Sequence, residues 1–229
     1  MGFIDNPRLP DRIGAVIFDM DGLMLDTERL HLEHWRRATQ DFGFDTMEDV
    51  YMQSFGLNSR DTERLFLRHL GETFPYVAIR DRWREYAEHH VGQFGVPHKA
   101  GLIDLLDMLK PRRIPKAVAT STRRESALHL LEKVGVLHHF DAVVGGDEVT
   151  KGKPDPEIFL TAAERLQVEP AGCVVFEDSP AGIRAAHAAG MIPILVPDLI
   201  SPPDDVRALA FRILESLEDA PDLFDFPAE

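Results

Sequence analysis

From Val96 onward, short apolar runs alternate with stretches patterned as helices, and this alternation constrains the fold more than any other feature. Helical spacing over 102–109 is followed by an apolar run at 115–120, and helical spacing over 125–134, stopped by Gly135, by one at 142–144. The pattern repeats with 156–166 before 173–176, and with 181–189, stopped by Gly190, before 192–196. Strands this short, joined through helices of roughly ten residues, imply a parallel sheet covered on both faces, because each crossover lays a helix on the sheet. A further apolar run, 13–18, lies near the start of the chain. Between it and Gly95 nothing alternates with period two. Leu30, His34, Trp35 and Ala38 are spaced helically within 27–42. Asn58-Ser-Arg-Asp61 opens a second helix bearing Leu65, Phe66 and Leu70, and 75–94 reads as a third. The expectation is an α/β chain with a doubly wound parallel sheet from residues 1–26 and 96–229, and an all-helical cap inserted at 27–95.

Polar groups collect where the apolar runs end. Asp19-Met20-Asp21-Gly22 follows Phe18 directly, so two carboxylates emerge from a buried strand. Burying such groups without partners is expensive, and a cation between them relieves the cost. Residues two apart on extended backbone point the same way, so one carboxylate is placed to attack phosphorus while the other handles a proton. Taken alone, the stretch reads equally well as an Asp-Gly turn. Three other boundaries break the tie: Ala117-Val-Ala-Thr120-Ser121, Lys153-Pro154 ahead of Asp155-Pro156, and Cys173-Val-Val-Phe176-Glu177-Asp178. Asp19, Thr120 and Asp178 all fall at carboxyl ends of expected strands, the rim at which parallel sheets bind ligands.

Asp, Thr, Lys and Glu-Asp in this order resemble the signature of the haloacid dehalogenase-like superfamily, from about Ile13 to the C-terminus. Phe18-Asp-Met-Asp-Gly-Leu-Met-Leu-Asp-Thr27, Gly152-Lys-Pro-Asp-Pro-Glu-Ile-Phe159 and Phe176-Glu-Asp-Ser-Pro-Ala-Gly182 are most similar to its β-phosphoglucomutase-like and pseudouridine-5'-phosphatase-like group. The resemblance implies a Rossmann-like core with a helical cap, and a magnesium-dependent phosphatase acting through an aspartyl-phosphate on a sugar phosphate or nucleotide monophosphate. Asp19 is then the nucleophile, Asp21 the general acid/base, Thr120 and the Ser121 N–H phosphoryl donors, and Lys153 the neutralising cation. Magnesium is expected on Asp19, Asp178 and the Asp21 carbonyl, with Glu177 holding a metal-bound water; such a site suits a hard cation. Arg60, in a cap loop similar to that of the mutases, and Arg123 are expected to bind a second anionic group, and His31 either to bind substrate near the acid/base or to pack within the cap. The alternative is a β-phosphoglucomutase-type phosphosugar mutase. Neither Arg82 nor Arg84 matches the basic residue that mutases carry later in the cap, which favours the phosphatase. A silent regulator on the same fold is disfavoured by the intact acids.

A net charge of −14, from 39 acids against 25 bases, repels nucleic acid polymers and leaves room for a small phosphorylated metabolite. No apolar run approaches the ~20 residues that span a membrane, and no secretory pattern opens the chain, so a cytoplasmic monomer is the expectation. The single cysteine, Cys173, rules out an internal disulfide and reads as a core residue. Gly146 to Lys153 is a poor P-loop, with Pro154 where a hydroxyl is required. The adjacent histidine pairs His89-His90 and His138-His139 do not suit one ion. The acid-rich tail from Glu215 is expected on the surface.

Overall fold

The computed structural model describes residues 9–10, 12–45 and 47–224. Strand β1, Ala15–Phe18, leads into four helices: α1 (Thr27–Asp41), α2 (Glu48–Met52), α3 (Ser59–Leu70) and α4 (Tyr76–Phe94). The alternation follows as α5 (Leu102–Leu109), β2 (Lys116–Ala119), α6 (Arg124–Val134), β3 (Ala142–Val144), α7 (Glu157–Leu166), β4 (Cys173–Glu177), α8 (Pro180–Ala188) and β5 (Ile192–Leu195). The short helix α9 (Asp204–Arg207) and strand β6 (Arg212–Ile213) complete it. No helix among the described residues is long and apolar enough to cross a membrane.

The strands form one sheet in the order β3-β2-β1-β4-β5-β6. Every neighbouring pair is parallel, with Phe18 level with Val118 on one side and Phe176 on the other. Successive side chains of a strand face opposite ways. Ala15 and Ile17 therefore join Phe159, Ala162 and Ala185 on one face, while Val16 and Phe18 join Leu105, Leu109 and Leu131 on the other. Both faces are buried, which is why the strands read as continuous apolar runs. Cys173 is fully buried at the start of β4, and burial pushes its thiol up to about 11. The chain order reverses between β2-β1 and β4-β5. Ligands of doubly wound sheets bind at this switch point, beyond the carboxyl ends of β1 and β4.

The four helices after β1 have their own core, in which Trp35 contacts Tyr51, Phe66 and Tyr76. Asn58 caps α3 by accepting from the Asp61 N–H at 3.0 Å, and Gly71 ends it at φ 89°. The two chain crossings into this insert are tied together: Asp26 N–H donates to the Pro97 carbonyl and Lys99 N–H to that of Met24, each at 2.9 Å. Lys99 Nζ bridges Asp26 at 3.0 Å and Asp198 at 2.8 Å.

The tail departs from expectation. Residues 225–229 lie outside the described residues, but Leu217–Leu223 forms a 3-10 helix with Leu217, Ala220 and Leu223 buried, packed against α5. Its acids face outward on an apolar stripe, and Ser216 closes the first turn as a capping box. High charge density concealed a docking segment. Leu217→Ala should cost about 2–4 kcal/mol in urea unfolding. The exposed Asp222→Ala should stay within about 0.5 kcal/mol, and equal small effects would mean that the tail does not dock.

Candidate active site

The rim of the sheet at β1, β2 and β4 gathers the polar residues of all four motifs. Asp19 extends β1, its N–H donating to the Phe176 carbonyl at 3.0 Å. Lys153, in the loop before α7, is 1% exposed and reaches under the rim. Its Nζ donates to Asp19 Oδ1, to Glu177 Oε1 at 2.6 Å and to the Ala119 carbonyl at 3.1 Å. Ends of three neighbouring strands thus share one ammonium. Burial opposes that charge, but the Asp19 and Glu177 carboxylates outweigh it and raise the Lys153 pKa, so the lysine stays charged. Burial also raises Asp19, to about 8, against the lowering pull of Lys153 and with help from the charges of Glu177 and Asp21.

Glu177 faces Lys153. Its other oxygen, Oε2, accepts the N–H and hydroxyl of Ser179, both at 2.9 Å. Ser179 also caps α8, accepting from Gly182 N–H at 3.0 Å. A Cβ on Gly182 would overlap the Glu177 carboxylate, and one on Gly22, whose φ is 85°, would overlap Asp178 Oδ2. Glycine at both places lets backbone approach a carboxylate closely.

Asp178 is 6% exposed and takes no hydrogen bond from the described residues. Burial pushes it well above the carboxylate range, and the charges of Glu28, Glu177 and Asp19 add to the shift. No group of three or more His, Cys, Asp or Glu side chains suited to a metal occurs among the described residues. Magnesium does not require one. It binds through one or two carboxylates and keeps waters, and the under-compensated acids Asp19 and Asp178 fit that pattern.

Asp21 is surrounded by hydroxyls. Thr27 donates to Oδ1 at 2.9 Å, while Thr122 and Thr120 donate to Oδ2 at 2.7 and 3.3 Å. The expected phosphoryl donor Thr120 is therefore turned to Asp21 here. Ser121 Oγ donates to the Gly56 carbonyl at 2.8 Å, tying the rim to the insert. His31 lines the cleft edge-on to Trp83 at 4.9 Å, its pKa lowered by burial against the pull of Asp21. Arg60 and Arg123 are not brought into the cleft. Arg60 donates to the Thr150 carbonyl at 2.9 Å, and the exposed Arg123 faces Asp147 at 3.8 Å.

The cleft also holds residues that the sequence did not single out. Glu28 and Thr122 line it, as do Tyr51, Tyr76 and Arg80; Arg84, weighed above with Arg82, lines it too, whereas Arg82 pairs with Asp41 and Glu85 outside. Glu28 lies in the first turn of α1, where the helix dipole favours an acid. The one available signal was its place on the face of α1 shared with His31 and Trp35. Burial raises Glu28 to about 9, helped by Asp198, Asp21, Asp19 and Glu177. The folded state therefore keeps a proton that the unfolded chain releases, and stability falls as pH rises above the ordinary carboxylate value. In chelator, Glu28→Gln should melt higher than the parent at pH 8 by more than about 1 kcal/mol, or roughly 2–4 °C, with the gap closing near pH 5. A gap independent of pH would contradict the assignment.

Residues 16–196 match the haloacid dehalogenase-like hydrolase family. The chain is 38% identical over 182 residues to the phosphorylated carbohydrates phosphatase of Thermotoga maritima, covering 77% of this chain and 82% of that one. It is 31% identical to the β-phosphoglucomutase of Bacillus subtilis, covering 79% and 81% respectively. Among solved structures, CbbY from Rhodobacter sphaeroides in complex with phosphate superposes with a TM-score of 0.79 at 27% identity, over 93% of this chain and all of the other.

Proposed function

The chain belongs to the haloacid dehalogenase-like hydrolase family, and on that premise we propose that it is a magnesium-dependent phosphatase. Its substrate in this reading is a small phosphorylated metabolite, a sugar phosphate or nucleotide monophosphate, cleaved through an aspartyl-phosphate on Asp19. The observation that carries the reading is the buried Lys153 ammonium shared by Asp19 and Glu177 beside the unpaired Asp178. A carboxylate is thereby fixed at the switch point of the sheet with positive charge next to it and room for more.

In this mechanism Asp19 attacks phosphorus and the ester oxygen leaves. Asp21, aimed by the Thr27 and Thr122 hydroxyls, gives that oxygen its proton. It then takes a proton from the water that attacks the aspartyl-phosphate, which frees inorganic phosphate and restores Asp19. Lys153, the Thr120 hydroxyl and the Ser121 N–H compensate charge on the phosphoryl oxygens. Asp19, Asp178 and the Asp21 carbonyl would hold magnesium, which supplies further positive charge to the phosphoryl group. The helical insert acts as a cap over the cleft. It swings about the crossings at 25–27 and 95–99, which are bonded to each other and span two short segments.

The mutase reading keeps one specific observation in its favour: Arg80 and Arg84 line the cleft, giving a cationic wall to the non-reacting end of a bisphosphate. Incubation with β-glucose 1-phosphate and a trace of glucose 1,6-bisphosphate separates the two. Free phosphate should accumulate faster than glucose 6-phosphate, and the reverse would make the protein an isomerase.

Phosphate release from p-nitrophenyl phosphate should require added magnesium and stop in excess chelator. Asp19→Asn should lower it by more than about 1,000-fold with an unchanged circular dichroism spectrum. Undiminished turnover in either case would place the chemistry elsewhere.

A further inference from the structure

At the opposite end of the sheet from the catalytic rim, the start of β2 carries a buried ammonium that the described residues do not pair. Lys116 is 6% exposed. Its Nζ donates to the Ile114 carbonyl at 3.0 Å and makes no salt bridge among the described residues. The neighbouring acid is engaged elsewhere, since Asp141 Oδ2 accepts the backbone N–H of Lys116 at 2.8 Å. Burial lowers the Lys116 pKa, against the pull of Asp141 and with help from the charge of Lys110. A buried charge ordinarily has a counter-charge and a full set of hydrogen bonds. An ammonium offers three donors, and this one spends a single donor on a neutral carbonyl.

A hollow of about 320 Å3 opens at this point, lined by Lys110, Arg113, Lys116, His138, His139 and Asp141. Lys110 and Arg113 are exposed, and neither side chain has a partner among the described residues. The His138 and His139 rings lie 4.1 Å apart between centroids, and His139 Nδ1 is buried without a hydrogen bond. Burial and His138 hold the His139 pKa low; Asp107 opposes the fall, and Lys110 and Lys116 add to it. In a chain of net charge −14, three cations facing one acid are a local reversal of sign. They repel a metal ion from the two imidazoles and attract an anion. The donor set suits tetrahedral oxygens: a guanidinium forks onto two of them, ammoniums bind as point charges and an imidazole N–H supplies a further donor. The acidity of the rest of the chain favours a small ion over a nucleic acid polymer.

None of these residues lines the catalytic cleft. Lys116 opens β2 and Thr120 follows its last residue, which at about 3.3 Å per residue sets the two ends about 13 Å apart.

We propose that this hollow is a second, non-catalytic site for a small phosphate-type dianion, held by Lys110, Arg113 and Lys116 with His139 donating a ring N–H. The site does not depend on the phosphatase reading of the catalytic cleft.

Histidine-ring NMR of the full chain, titrated with sodium phosphate at constant pH and ionic strength in chelator, reads both ends of the sheet at once. His139 reports on this hollow and His31 on the catalytic cleft. The His139 signals, identified by their loss in His139→Gln, should shift along a saturating curve that sodium chloride does not reproduce. In the Lys110→Glu, Arg113→Glu double variant the midpoint should rise about tenfold or more, the size expected for lost charged hydrogen bonds, while the His31 response stays unchanged. Lys116→Met should act likewise, and should that variant fail to fold, the exposed pair decides. Inorganic phosphate and glucose 6-phosphate are then compared on Asp19→Asn, chosen to keep the ester intact. Tighter binding of the ester at His139 supports the site with a phosphorylated metabolite as its occupant, and tighter binding of inorganic phosphate supports it with the free ion. Shifts confined to His31, a His139 response that chloride reproduces, or a midpoint unchanged in the charge variants overturns the site.

Discussion

One buried ammonium organises the rim of the sheet. Lys153 has no access to water, yet it holds the carboxylates that terminate the two central strands and the last carbonyl of a third. Removing charges from water is expensive, and an ion pair in such a place persists when its geometry is good and the remaining donors and acceptors are satisfied. Here they are. Glu177 takes Lys153 on one oxygen and Ser179 on the other, and Ser179 in turn caps α8. Gly182 leaves the space in which this happens. The helix start, the strand end and the proposed nucleophile are therefore one connected network, and none is placed independently of the others.

What that network leaves uncompensated is as informative as what it pairs. Lys153 offsets Asp19 and Glu177, while Asp178 and Glu28 stay buried without donors. Asp198 is paired through Lys99 but keeps one buried oxygen free. Carboxyls packed this densely favour protonation or a cation, and each raised pKa in the cluster expresses that preference. The chain as a whole is strongly acidic, but the surface charge does not create this effect. Its cause is local, since three carboxyl-bearing segments converge where the sheet changes direction.

The core was legible because its signals are redundant. Strands β1 to β5 read as largely apolar runs, the helices between them carry stop or start residues, and the polar residues fall at boundaries where nothing else requires them. Gly135, Gly190, Asn58 and the Ser179-Pro180 pair ended or began helices as their chemistry demands. The insert was legible only as helical. Its short helix α2 has five residues, too few for periodicity, and it carries Tyr51 into the cleft. Glu28 and Thr122 were missed because a first-turn acid and a third consecutive hydroxyl residue look ordinary in one dimension. Arg60 and Arg123 looked like anion ligands by position, yet in the folded chain Arg60 joins the insert to the loop before Lys153 and Arg123 points outward. Side-chain direction, which spacing does not encode, separates these cases from Arg80 and Arg84.

Unfolding of the Lys153→Met, Glu177→Gln and double variants by urea, in chelator, tests the organising role of the lysine most directly. Lys153→Met alone should lose about 3–5 kcal/mol, because it leaves two buried carboxylates uncompensated. Removing the Glu177 charge as well should return part of that loss, giving a coupling of at least about 1 kcal/mol. Purely additive losses, or a Lys153→Met protein as stable as its parent, would contradict the claim that this ammonium holds the rim together.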